Sequence, residues 1–211
     1  MTVFKYPTTM RNLLLSLIFL ICACSGKATV PSVKDGDIIF HTSNSSQSLA
    51  IQRATGSKYS HMGLVVYRNG QPFVFEAIAT VQFTPLARWI ARGSGQHYVV
   101  KRLRNADTVL TPAALEKLRA AARPFFGRRY DLTFGWSDER IYCSELVWKA
   151  YNRALGLKIG AVQKVRDFNL SEPAVRAKMQ ERYGNNIPFD EPVISPAAMF
   201  DSPLLVTVTE Q

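Results

Sequence analysis

The sequence is poor in cysteine, poor in histidine and short of long apolar runs, and each shortage excludes something. Three cysteines, Cys22, Cys24 and Cys143, occur in 211 residues. That is too few for a disulfide scaffold, and no CxxC pair points to a dithiol redox centre. Nor do these thiols and three histidines, His41, His61 and His97, show the close spacing of a zinc site. The apolar run LLLSLIFLICA, Leu13 to Ala23, is 11 residues long, well below the roughly 20 that cross a bilayer. Internal repeats, low-complexity tracts, zinc-finger signatures and RNA-recognition signatures are absent. Acids are outnumbered, 16 against 26 Lys and Arg, for a formal charge of +10. A basic surface points to anionic neighbours such as lipid headgroups or anionic wall polymer. With 47% apolar residues and 20% charged ones, the chain has the composition of a folded protein of one ordinary domain.

The short apolar run follows Lys5 and Arg11, the pattern of a signal peptide. It ends in LICAC, which resembles the bacterial lipobox, a signal in which the cysteine is lipidated and becomes the new N-terminus. The expectation is therefore a signal peptide over 1–23, lipidated Cys24 with a short linker over 24–34, and a catalytic domain over 35–211. Ser25, not an aspartate, follows Cys24, so the resemblance implies an outer-membrane anchor facing the periplasm. Loss of 1–23 takes Lys5, Arg11 and no acid, so +10 becomes +8. Nucleic acid is then not an expected partner, and an outer-membrane surface is. Once Cys22 leaves and Cys24 carries lipid, Cys143 is a lone thiol in an oxidising compartment, a candidate for reactivity.

Strand signals come first. DGDIIF reads as a turn and a buried strand. SSQSLAIQRATG reads as a short helix capped by Ser46 or Ser48 and stopped by Gly56. SHMGLVVY and PFVFEAI flank Asn69-Gly70, the strongest hairpin signal in the chain. VQFTPL reads as a third short strand, ARWIARG as one helical turn, and HYVVKRL as another strand. Helices follow: TPAALEKLRAAAR with Thr111 as cap, then an aromatic-rich loop, then CSELVWKAYNRALG closed by Gly156. SEPAVRAKMQERYG repeats that grammar with Ser171 as cap, and LLVTVT is a last strand. Strands then helices predict an α+β domain, a small antiparallel sheet with helices packed on one side.

Chemistry centres on RIYCSELVW. A thiol attacks as thiolate, and its pKa falls at a helix N-terminus and beside an imidazole. Cys143 opens its helix and lies on the apolar face. Taken alone it reads as a packed core cysteine. His61 opens a strand, His41 reads equally as a loop residue, and His97 has no acidic or cysteine neighbour. Glu76 interrupts an apolar strand. The two-residue turn sets it opposite Gly63, on the same face as His61, and a lone acid among apolar residues is costly unless paired. That gives a thiol, a base and a carboxylate to orient the base.

DGDIIF, SHMGLVV, FVFEAI, YDLTFGWSDERIYCSELVWKAY and ISPAAMFDSPLL together resemble the YiiX-like group of circularly permuted, papain-like cysteine hydrolases of the NlpC superfamily. The likeness runs from about Lys34 to Val206. It implies a papain-like fold in which the histidine precedes the cysteine. It further implies Cys143 as nucleophile, His61 as base, Glu76 as orienter, and hydrolysis of an amide through an acyl-cysteine. An aromatic near the cysteine is implied as pocket wall or oxyanion donor, with Tyr130 favoured over Tyr142, and Asp131 and Trp136 are expected in the same cleft. Neither metal nor organic cofactor is implied. The compartment favours cell-wall peptide as substrate, with a hydrolase or acyltransferase of lipid or lipid-linked amides or esters as the alternative and a non-catalytic envelope binding module as a third reading. A cleft for small polar peptides would favour the first of these, a long apolar groove the second.

Overall fold

The computed structural model describes residues 1–2 and 32–211. The expected signal peptide and Cys24 lie outside the described residues.

Chain order begins with strand β1 (Ile38–His41), helix α1 (Ser46–Thr55), strands β2 (His61–Arg68), β3 (Gln71–Ala77) and β4 (Val81–Pro85), and helix α2 (Leu86–Arg92). Strand β5 (Tyr98–Leu103) is followed by helices α3 (Ala106–Val109) and α4 (Pro112–Ala122), then by the short strands β6 (Arg129–Tyr130) and β7 (Arg140–Ile141). Helix α5 (Cys143–Leu155), strand β8 (Gln163–Lys164), helix α6 (Pro173–Tyr183), strand β9 (Pro192–Val193), helix α7 (Pro196–Phe200) and strand β10 (Leu205–Glu210) complete the fold. Among the described residues the main sheet runs β10-β5-β1-β2-β3-β4. Every neighbouring pair in it is antiparallel.

The Asn69-Gly70 turn behaves as its sequence requires. Both residues have positive φ, 50° and 75°, the conformation that matches strand twist in a two-residue hairpin. The register sets Arg68 opposite Gln71 and Leu64 opposite Phe75. Continued, it brings Gly63 to Glu76. A Cβ at Gly63 would stand 3.3 Å from Glu76 Cβ and 2.3 Å from Val74 Cγ1, so only glycine fits there.

Alternation along the strands builds two cores. Phe40, Leu64 and Phe75 face α4 and α5 through Leu118, Leu146 and Tyr151. Ile39, Val65, Val74 and Val100 pack with Leu86, Trp89 and Val33 on the other face. The expectation of helices on one side alone is corrected here: α2, longer than the single turn expected, covers the second face. Its sequence shows no long amphipathic stripe, because only Leu86 and Trp89 are buried.

Two caps also differ from expectation. Ser45, not Ser46 or Ser48, caps α1 by accepting from Ser48 N–H at 3.0 Å. Ser171 does not cap α6. Its hydroxyl donates to Asn169 Oδ1 at 2.7 Å, and the helix starts at Pro173 behind Glu172. Thr111 and Gly156 close α4 and α5 as read. The aromatic loop contains the parallel pair β6–β7, which brings Tyr130 level with Ile141, two residues before Cys143.

Candidate active site

Helix α5 starts without a side-chain cap. Tyr142 is extended, with φ −103° and ψ 168°, and offers no capping bond. The first-turn N–H groups are therefore open to the cysteine itself. Ser144 N–H donates to the Cys143 sulfur. A second donor comes from the sheet. Hydrogen-bonded pairing of β2 with β3 ends at Leu64–Phe75, and Met62 N–H, one step beyond it, donates to the sulfur. The thiol thus sits where the ladder opens, 2% exposed.

His61 and Glu76 reach this point from the α2 face. His61 Nε2 lies 2.6 Å from Glu76 Oε2, and the His61 ring hydrogen-bonds the Cys143 thiol. With Nε2 engaged by the carboxylate, Nδ1 is the nitrogen left for sulfur. Glu76 is fully buried. Its Oε1 accepts from Thr84 Oγ1 at 2.6 Å, and its Oε2 accepts also from Trp89 Nε1 at 2.9 Å and from the Arg92 guanidinium. The carboxylate is therefore pinned by four side chains and satisfied as a buried charge must be.

These contacts separate the protonation states. Burial alone would push the Cys143 thiol up, but the hydrogen bond and charge of His61, with the two N–H groups, hold it below the ordinary thiol range. Burial would likewise lower His61. Its bonds to Cys143 and Glu76 outweigh that and raise it to about 9. Glu76, raised by burial, is brought down to about 2 by His61, Thr84 and Arg92. The resting state is a row of alternating charges: thiolate, imidazolium, carboxylate, guanidinium. Such a row can hold a nucleophile at neutral pH and keep a proton beside it.

His41 stands next to this row. Its ring stacks on Trp89 at 3.9 Å and lies 5.2 Å from His61. Neither ring nitrogen has a partner among the described residues. Burial, then the positive charges of His61 and Arg92, drop it to about 3, so it is neutral and packs as an aromatic spacer.

Tyr130 is the aromatic beside the sulfur. It lines the same cleft as Cys143, the two groups influence each other's ionisation, and its hydroxyl accepts from Gln47 Nε2 at 2.8 Å. Tyr142 lines the cleft, but its hydroxyl is occupied by Ile194 N–H at 3.1 Å. Two expected cleft residues lie elsewhere. Trp136 packs edge-on to Trp148 at 5.3 Å, and its N–H goes to Glu191. Asp131 binds the N–H groups of Thr133 and Gly135 and so closes its own loop. Both serve the shape of the aromatic loop. His97 sits 3.7 Å from Glu210, away from the thiol.

Two clefts adjoin each other at the site, one holding the sulfur and the other the His61 ring. One is apolar, with about 760 Å³ of empty space including the solvent at its mouth. Cys143 opens into it among Ile51, Phe134, Phe168, Leu170, Val175 and Met179. The other is mixed: it holds His61 with Ser43, Ser45, Ser48, Ser60 and Arg129, beside Ala77, Ile78, Ala79 and Leu132. Gln47, Ile51 and Tyr130 line both.

A family model described as a permuted papain-like amidase enzyme, YaeF/YiiX, C92 family, matches residues 32–209. The chain belongs to this family. It is 48% identical over 202 residues to the uncharacterized protein YiiX of Escherichia coli K12, covering 96% of this chain and 97% of that one. It is also similar to the crystal structure of metalloprotein yiiX from E. coli O157:H7. The TM-score there is 0.81 at 51% identity, over 84% of this chain and 97% of the other. That name speaks of a metal in the relative. Among the described residues here, no three His, Cys, Asp or Glu side chains converge as a ligand set. We therefore assign no step to a metal. Membership fixes the activity at the level the family carries: a thiol-dependent hydrolase of amide type on a permuted papain-like fold.

Sequence reasoning missed Thr84, Trp89, Arg92 and Gln47, and left His41 open as a loop residue where the structure stacks it on Trp89. A buried glutamate announces that it needs donors, but nothing local in ARWIARG names Trp89 and Arg92 as those donors.

Proposed function

We propose that this protein cleaves amide or ester bonds of substrates carrying an acyl chain, with the chain seated in the apolar cleft. The observation that carries this reading is the lining of that cleft, which is nearly all aliphatic and aromatic where Cys143 opens into it. A small polar wall peptide would leave its amides there without partners, at a cost in affinity. The lipid alternative weighed from the sequence is thus better supported than the wall-peptide reading. The second cleft, on the His61 side, offers serine hydroxyls and Arg129 to the leaving amine or alcohol.

In this mechanism the Cys143 thiolate attacks the acyl carbon, an S–C bond forms, and the carbonyl π pair moves to oxygen. The oxyanion is met by the Cys143 backbone N–H and the Tyr130 hydroxyl. Collapse restores the C=O bond, breaks the bond to the leaving group and hands it the His61 proton. Water, deprotonated by neutral His61, then attacks the acyl-cysteine and releases the acid and the thiolate. Glu76 holds the imidazole in one tautomer throughout.

Acyl-chain dependence tests the substrate class. Acetyl, octanoyl and lauroyl 4-nitroanilides should show kcat/KM rising by roughly fourfold per methylene, the equivalent of about 0.8 kcal/mol of burial, until the cleft is filled. Ala54→Phe, which narrows the cleft, should cut the lauroyl rate and spare the acetyl one. A flat series, with a wall tetrapeptide hydrolysed faster, would return the wall-peptide reading.

The proposal extends to location. An anchor at Cys24 would hold a basic catalytic domain against a membrane that contains acyl substrates. Cys24→Ala should move the protein from the membrane to the soluble fraction of a bacterial lysate. Unchanged membrane retention would remove the anchor.

A further inference from the structure

Gln47, Tyr130 and Arg182 lie on α1, β6 and α6, and neither Gln47 nor Arg182 touches Cys143 by hydrogen bond. They form a directed chain. Arg182 Nη2 donates to Gln47 Oε1 at 2.8 Å, and Gln47 Nε2 donates to the Tyr130 hydroxyl oxygen at 2.8 Å. The direction is forced by chemistry. A guanidinium only donates, so the amide oxygen must face Arg182 and the NH₂ group must face Tyr130. The phenolic oxygen then accepts from Gln47, and its one proton is left for the side of the cleft that Tyr130 shares with Cys143.

Arg182 is suited to anchor the chain. Its guanidinium lies 5.1 Å from the centre of the Phe134 ring, and among the described residues its Nε has no hydrogen-bond partner while Nη2 is given to Gln47. Its donors are thus not drawn away by an acid, and its charge polarises the bonds leading to Tyr130. Burial and the negative sulfur both hold the Tyr130 phenol well above its ordinary range, so the proton remains on oxygen as a donor.

We infer that Arg182 and Gln47 are positioning residues that aim the Tyr130 proton, first at the thiolate and then at the oxyanion. The inference rests on the acyl-cysteine reading above. As the S–C bond forms, negative charge leaves sulfur for the carbonyl oxygen, and the Tyr130 O–H shifts its hydrogen bond to that oxygen without giving up its proton. A chain fixed before the reaction needs no reorganisation during it. Rotation of the Gln47 amide would point its oxygen at Tyr130 and draw the phenolic proton away from the sulfur. Arg182 prevents that rotation.

A double-mutant cycle with Tyr130→Phe tests this, using 4-nitrophenyl laurate as substrate. Gln47→Met and Arg182→Gln should each lower kcat by about tenfold to hundredfold with little change in KM, less than or equal to the loss of a whole oxyanion donor. In the Tyr130→Phe background both should cost almost nothing, because the proton they aim is gone. A structural role would instead give losses that multiply. Gln47→Glu keeps an acceptor for Arg182, and with it the packing of α1 on α6, but offers no N–H to Tyr130. It should be as slow as Gln47→Met, and a rate equal to wild type would overturn the inference. Intact-mass detection of a lauroyl-enzyme in the wild type separates the two levels. Its absence overturns the acyl-cysteine reading and the chain together, whereas its presence with multiplicative losses overturns the chain alone.

Discussion

Replacing Cys143 with alanine is expected to lower turnover by at least about ten-thousandfold while the fold survives. The effect on rate is large because nothing else near the cleft can take the place of sulfur. Ser144, the adjacent hydroxyl, is buried and donates to Ile194 O at 2.8 Å, so its proton is already committed and no base stands beside it. The effect on stability is small for a different reason. Only one heavy atom is lost from the core, and Met62 N–H and Ser144 N–H lose an acceptor at the same time. Cavity and unsatisfied donors together cost about 2 kcal/mol, partly offset because a buried thiolate no longer has to be compensated. That corresponds to a shift in Tm of roughly 4–8 °C for a domain of this size. Circular dichroism and thermal melting beside the rate assay separate the two effects. Full activity in Cys143→Ala would remove the mechanism, and a protein that keeps its fold but loses its rate would leave the binding-module reading without support.

How much of this site was legible beforehand follows the range of the interactions. The β2–β3 hairpin is local. Its Asn-Gly turn sets the register, the register sets Glu76 against Gly63, and the side-chain period of two does the rest. The thiol's place at the head of α5 is local too, because helix caps and apolar spacing are written within a dozen residues. What was not legible depends on distant packing. Arg92 and Trp89 meet Glu76 because α2 folds over the second face of the sheet, and a short helix with two buried residues carries little periodic signal. Gln47 and Arg182 are 135 positions apart, and nothing in either neighbourhood marks them as partners. The apolar cleft is likewise assembled from α1, the aromatic loop and α6, with no contiguous stretch that reads as a groove. Trp136 and Asp131 mislead for the converse reason: closeness in sequence to the thiol is not closeness in space when the loop between turns back on its own hydrogen bonds.

The charge row makes a second prediction, which separates the proton from the nucleophile. His61→Ala should reduce turnover by about a thousandfold to ten-thousandfold. It should also slow iodoacetamide labelling of Cys143 at about pH 6, since the imidazolium that holds the thiol below its ordinary range is gone. Burial makes the loss larger, because without His61 no cation faces the sulfur and only the N–H groups of Met62 and Ser144 and the Tyr130 hydroxyl remain to oppose it. In the wild type the two assays should part company at high pH. His61 loses its proton near about 9, and hydrolysis then falls, about tenfold per further pH unit, because the leaving amine has no acid. Labelling does not fall, because the sulfur remains anionic once His61 is neutral. Glu76→Gln should move the hydrolysis limb downward. The carboxylate raises His61 by hydrogen bond and charge, so an amide in its place leaves burial less opposed. The expected loss of rate is about tenfold to hundredfold, with the imidazole still held in place by a hydrogen bond. Three groups other than Glu76 bear on the same limb: the Cys143 thiolate, which raises His61; Arg92, which lowers Glu76; and neutral His41, which carries no charge there. A limb that stays near 9 in Glu76→Gln would make the carboxylate a structural group. Labelling and hydrolysis that fall together in the wild type would mean that the thiolate and the imidazolium are not the separate groups the geometry describes.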